Sequence, residues 1–251
     1  MAGARSFSGS LGSNDLQKSI LQSYLIMRVG IAVIGISLPF VLLFGGMAAD
    51  IPAQKSMSAY YHAVGTYGGS MRNWFVGPLF AISISLGLYR GYSHVEDYLL
   101  DAAAVLGVGI AVFPMDWNCG LPGGFCGVKI LDHPVHAICA ISFFLCIALV
   151  CWFCADDTLH LEPNETRRQA LRVTYRVIAI VMPASMFVAW WLNTGLRTNE
   201  AVFWVEAAGV CSFGAYWLLK GLELNHTEAD RKAAAGRLRL RSGNVEENGS
   251  S

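Results

Sequence analysis

Three runs of the chain, Val29–Ala49, His133–Ala155 and Val177–Leu196, contain no Asp, Glu, Lys or Arg. Each is long enough to cross a bilayer as a helix, which takes about 20 predominantly apolar residues. Asn73–Tyr89, Tyr98–Met115 and Ala201–Leu219 fit less fully: the first is short, and the other two carry Asp101 and Glu206. The pattern predicts an all-α fold, a six-span transmembrane helix bundle. Its expected organisation is an N-terminal segment over 1–24, a membrane domain over 25–220 and a polar tail over 221–251.

The polar stretches between the runs set the connections. Residues 1–16 are rich in Gly, Ser and Ala and read as disordered. Asp15–Met27 reads as an interfacial helix leading into the first span. The connection Gly91–Asp97 is short, which makes spans 2 and 3 antiparallel neighbours. Longer loops run over Asp50–Arg72 and Asp116–His133. The segment after Lys220 predicts a helical extension to about Arg241. Pro39 and Pro183 fall inside spans, where neighbouring helices make a proline kink tolerable. Gly30, Gly35, Gly107, Gly109, Gly209 and Gly214 permit close helix packing.

Charge then orients the bundle. Alternating sides along six spans puts 14 of the 18 Lys and Arg residues on the side that holds the termini. The other side holds Lys55, Arg72, Lys129 and Arg197. By the positive-inside rule both termini are cytoplasmic. Tyr24, Trp74, Tyr89, Trp117, Trp152, Tyr175, Trp190, Trp191, Trp204 and Trp217 fall near span ends, at headgroup level. Charged residues are only 14% of the chain, against about 25% in soluble domains. The formal net charge is zero, so no global field points to a nucleic-acid partner. The first apolar run is too long for the core of a cleavable signal peptide and lacks a small-residue cleavage site after it. Asn164-Glu-Thr and Asn225-His-Thr fall on the cytoplasmic side and are expected to be unmodified.

Candidate chemistry gathers on the outer side. Ser58, Tyr60, Tyr61 and His62 precede span 2, Arg72 starts it, Asp116 ends span 3, His133 and His136 open span 4, and Glu206 lies within span 6. An ionisable group in a span costs roughly 2.5–3.5 kcal/mol on insertion scales, so it faces a partner or a cavity. Three readings stay open. His62, His133, His136 and Asp116 are ligand types for zinc, which with an open position activates water. Alternatively the residues form a buried network, with Glu206 pairing Arg72 and His136 pairing Asp116 or a tyrosine hydroxyl. The third reading is a polar path for a proton, ion or small solute. The inner halves of the spans offer it few ionisable groups, chiefly Arg28 and Asp101.

The cysteines divide in the same way. Cys139, Cys146, Cys151, Cys154 and Cys211 lie in spans and act as small apolar residues. Cys119 and Cys126 flank a Gly- and Pro-containing turn in an oxidising compartment, which predicts a disulfide. Metal ligation with His133 and His136 is the alternative.

Two resemblances follow from these residues. Ser58-Ala-Tyr-Tyr-His62, Arg72-Asn-Trp-Phe-Val-Gly77, Tyr89-Arg-Gly-Tyr92 and Val112-Phe-Pro114 form one pattern. It continues at His136 with Ser142-Phe-Phe144, and at Phe203-Trp-Val-Glu206 with Trp217-Leu-Leu-Lys-Gly221. The whole resembles a family of bacterial multi-span membrane proteins grouped under a domain of unknown function. That resemblance implies a helical membrane fold in the bacterial inner membrane, and no activity. Ser58-x-x-x-His62, then Asp116, then the pair His133 and His136, resembles the membrane hydrolase superfamily of alkaline ceramidases and progestin and adipoQ receptors. This second likeness implies zinc held by His62, His133 and His136, with Asp116 as base and Ser58 as a supporting donor. The histidine pair here is separated by two residues where that superfamily has three, and six spans replace seven.

The expected function is that of a non-enzymatic binding, transport-related or accessory subunit with an outer-side polar pocket, in which Tyr61, Arg72, His136 and Glu206 bind or pair. The alternative is a zinc-dependent hydrolase of a lipid amide or ester. The expected partners are the lipid bilayer and either further membrane subunits or a second copy of the chain.

Overall fold

Helices make up most of the computed structural model, which describes residues 13–117, 128–130, 133–192, 200–238 and 240. α1 spans Ser13–Ala48, and a 3₁₀ turn follows at Ser58–Tyr61. α2 (Arg72–Leu88) and α3 (His94–Val112) precede a minimal two-stranded ladder, β1 (Lys129–Ile130) and β2 (His133–Pro134). α4 (Val135–Leu149) passes through a π turn at Val150–Cys154 into α5 (Asp156–Leu159). α6 (Glu165–Trp191), α7 (Glu200–His226) and α8 (Ala229–Ala234) follow. The all-α expectation holds at this level.

Local signals explain the helix starts. The Ser93 side chain accepts a hydrogen bond from the Glu96 N–H, and the Glu96 carboxylate accepts from the Tyr92 N–H. This is a variant of the reciprocal cap that satisfies free amides at a helix start. Asn164 caps α6 by accepting from the Arg167 N–H. α1 begins well before the apolar run, so the expected interfacial segment and the first span are one continuous helix through Pro39. α7 continues past Lys220, and Glu223, Leu224, Thr227 and Ala229 are all buried. The packed body therefore extends beyond the boundary expected at Lys220. The helical extension breaks at Glu228, which has φ 53°.

α1 packs along α7, α2 along α3, α3 along α4, and α6 along both α4 and α7. The α1–α7 crossing is close because Gly214 faces the backbone of Ala32 and Ile36. Between the two ends the interior is apolar, with Ile31, Leu38, Leu42, Phe143, Ile147, Met182, Phe213 and Trp217 buried. The outward surface is also apolar: Val33, Phe44, Val105, Phe153, Ile180 and Phe187 are exposed. Among the described residues four helical segments are long and apolar enough to cross a membrane: Asp15–Ala48, Val135–Leu159, Glu165–Trp191 and Ala201–His226. A helical bundle that is apolar both inside and outside is the mark of an integral membrane protein.

Candidate functional site at the Glu206 end

The bundle has a polar layer at each end. At one end, α1 runs out at Ala48 and the chain folds back over the helices as the 3₁₀ turn. Ile51, Met57 and Tyr60 bury their side chains and anchor this return. The Tyr60 ring meets Phe203 of α7 edge-on, with centroids 6.1 Å apart. This packing brings the turn's polar groups against α4 and α7.

Glu206 receives the first of them. Its carboxylate accepts from Ser56 Oγ, 3.0 Å from each oxygen, and from the Met57 N–H at 2.7 Å. Ser56 Oγ in turn accepts from the Ser58 N–H at 3.2 Å. The expected Glu206–Arg72 pair is not formed, because the returning loop supplies the carboxylate's donors. Arg72 turns instead to Tyr61, donating to its hydroxyl at 2.5 Å with the guanidinium 4.5 Å from the ring centroid. Among the described residues Arg72 has no carboxylate partner.

His136 lies on the first turn of α4 and is buried. Its Nδ1 is 2.8 Å from the Phe113 carbonyl oxygen, and its Nε2 is 2.8 Å from Ser58 Oγ. A carbonyl oxygen can only accept, so in the neutral ring Nδ1 carries the hydrogen and Nε2 accepts from the serine hydroxyl. The sequence led us to expect a partner in Asp116 or a tyrosine hydroxyl; the hydrogen bonds of His136 go to Phe113 and Ser58 instead. It joins the 3₁₀ turn, the end of α3 and the start of α4.

His62 lies beside this pair, with Nε2 3.4 Å from the Met115 carbonyl oxygen and its ring 3.6 Å from that of Trp117. Burial lowers its pKa, and the nearby Arg72 charge lowers it further, against the opposing hydrogen bond to Met115. Asp116 directly follows Met115 at the same end. Among the described residues no group of three His, Cys, Asp or Glu side chains is placed to hold a metal. Both ring nitrogens of His136 are engaged in hydrogen bonds. The His133 backbone lies in β2, paired with Ile130, and its side chain falls outside the described residues. Cys119 and Cys126 also fall outside them. The described cysteines Cys139, Cys146, Cys151, Cys154 and Cys211 are all free thiols.

The opposite end holds a network that the sequence did not reveal. Arg28 donates to Asp230 through Nη1 at 2.6 Å and Nη2 at 2.8 Å, and also to the Tyr89 hydroxyl. Tyr92 donates a short hydrogen bond to the same Asp230 carboxylate. Burial opposes ionisation of Asp230, but the hydrogen bond and charge of Arg28, with the Tyr92 bond, outweigh it and lower its pKa. Beside this pair, Lys220 Nζ donates to the Ala155 carbonyl, Thr158 Oγ1 and Glu223. Glu223 also accepts from Thr158 and Tyr175. The i,i+3 spacing of Lys220 and Glu223 was the one signal available for it.

No family model, curated protein or solved structure matches the chain.

Proposed function

We propose that the chain is a six-span integral membrane protein of the bacterial inner membrane with cytoplasmic termini, and that its Glu206 end is an outer-leaflet binding site for an anionic lipid headgroup. α2 has 17 residues and α3 has 19, giving about 25 and 28 Å of helix at 1.5 Å per residue. Those lengths approach the roughly 30 Å hydrocarbon core. The Arg28–Asp230 pair supports having both termini on one side, and the bias of basic residues supports calling that side cytoplasmic. A Cys119–Cys126 disulfide fits the outer loop of this topology, as does the resemblance to the bacterial multi-span family.

The observation that carries the binding reading is Arg72. It is a guanidinium at the start of α2, oriented by Tyr61, with no carboxylate to neutralise it among the described residues. Trp74 and Trp117 stand exposed near it, as amphipathic rings do at headgroup level. A guanidinium matches the paired oxygens of a phosphate or carboxylate. The role is binding, in an accessory protein or a subunit that works with other membrane partners.

The test is lipid retention. Wild-type protein purified from mixed anionic and neutral phospholipid should keep anionic lipid through washing, as read by native mass spectrometry. Arg72→Gln should lose it while melting at the same temperature. Equal retention by both proteins would sink the headgroup reading.

A further inference from the structure

The structure assigns a chemical step to the Ser58–His136 pair: we infer that Ser58 is a nucleophile and His136 its general base, acting on the carboxylic ester of an acyl lipid. The inference rests on the binding site proposed above, which would bring such a lipid to the pair.

The geometry begins with the base. His136 Nδ1 is committed to the Phe113 carbonyl and Nε2 faces Ser58 Oγ, each at 2.8 Å. An activated nucleophile takes this form: hydroxyl within hydrogen-bond reach of a base, and the base oriented by a third group. Here a backbone carbonyl fixes the tautomer and the ring plane. Ser58 differs from other serines of the bundle. Ser23, Ser37, Ser185 and Ser212 donate to carbonyls of their own helix, the usual fate of a helical serine. Ser58 instead donates to an imidazole from a turn, and the residue is partly exposed.

The turn is itself held in place. Glu206 binds Ser56 Oγ, and Ser56 Oγ accepts from the Ser58 N–H. Glu206 is accordingly a positioning residue, acting through Ser56 on the backbone that carries the nucleophile.

The reaction needs only water as co-reactant. Ser58 Oγ attacks the ester carbonyl carbon while its proton passes to His136 Nε2. The bond from that carbon to the leaving alkoxide breaks, and the alkoxide takes the proton from Nε2 and leaves as the alcohol. Water then attacks the acyl-serine, giving its proton to Nε2. The acyl–oxygen bond to Ser58 breaks, Oγ recovers the proton, and the carboxylic acid departs. Ester and water become acid and alcohol, with nothing oxidised or reduced.

The test uses the full-length protein in detergent with an alkyl fluorophosphonate, which phosphonylates activated serines with loss of fluoride. The wild type should gain one adduct by intact mass, mapping to Ser58. Ser58→Ala should gain none, and His136→Gln should react at least roughly a hundredfold more slowly, the lower end of what a general base contributes. Melting temperature and retained anionic lipid are measured on each variant. An unlabelled wild type that keeps its lipid overturns the catalytic assignment and leaves the binding reading standing. Labelling that persists in Ser58→Ala overturns it as well. Labelling at Ser58 without selective lipid retention supports the nucleophile and overturns the headgroup reading instead.

Discussion

Arg28 of α1 and Asp230 of α8 form a two-point ion pair between residues 202 positions apart in the chain, and Arg28 is only 1% exposed. The guanidinium fork suits a carboxylate, and Tyr89 and Tyr92 satisfy further donors and acceptors around it. Removing one member strands the other. Arg28→Ala should destabilise the protein by about 3–5 kcal/mol, the range for breaking a buried pair. Replacing both members with Arg28→Met and Asp230→Leu should recover most of that loss, because the stranded charge is gone. Unfolding in a titration of denaturing detergent, compared across the single and double variants, checks the cycle.

The same pair gives the protein an acid limit. The folded Asp230 carboxyl has a pKa below its ordinary value. Its stabilising contribution is therefore complete above the unfolded-state value of about 3.9. It is lost as pH falls from there through the lower folded-state value, since the unfolded chain binds the proton more readily in that window. Melting temperatures below about pH 4 should fall more steeply for the wild type than for Asp230→Asn, whose side chain does not titrate. Parallel acid profiles would mean that Asp230 does not contribute this slope.

A third prediction concerns the α1–α7 crossing. A Cβ added at Gly214 would lie 2.6 Å from Ile36 Cγ1, 2.9 Å from the Ala32 oxygen and 3.0 Å from the Ile36 nitrogen. Two of those atoms are backbone, so the helices themselves must separate. Gly214→Ala should cost about 1–3 kcal/mol, as overpacking does. Gly30→Ala is the control, because a Cβ there meets nothing within 4 Å. The detergent titration should separate the two variants clearly.

The long apolar runs announced their helices because lipid and core both select for them. α1 ends at Ala48 and α7 begins at Glu200, each within a residue of the limits read from charge alone. Side-chain partners were far less legible. The structure sets Glu206 against Ser56 and Arg72 against Tyr61: the path of the 3₁₀ turn decides who meets whom, and loop paths follow tertiary packing. The turn seats itself through Ile51, Met57 and Tyr60, and so delivers Ser56 to Glu206 and Ser58 to His136. Arg28 and Asp230 were hidden for a related reason. Their meeting depends on a chain break at Glu228, inside the segment that the sequence predicts as one helical extension.

Glu206 is the residue on which that turn depends, and its replacement separates the roles of hydrogen bonding and charge. The carboxylate holds Ser56 Oγ and the Met57 N–H, and no ion pair joins it to a cation among the described residues. Glu206→Gln keeps an oxygen to accept from Met57 and an amide group to meet Ser56. Its effect on the turn should be slight. Glu206→Ala leaves the Met57 N–H unpaired in a buried setting, at a cost of about 1–3 kcal/mol. That cost should appear as local opening of the return loop before any global unfolding. Lys55, exposed just before the clamp, provides the reporter, since trypsin cuts after lysine only in a segment that can leave the body. Cleavage at Lys55 should quicken in Glu206→Ala and stay near the wild-type rate in Glu206→Gln. Equal cleavage in all three proteins would show that the buried Met57 and Tyr60 side chains hold the turn without Glu206.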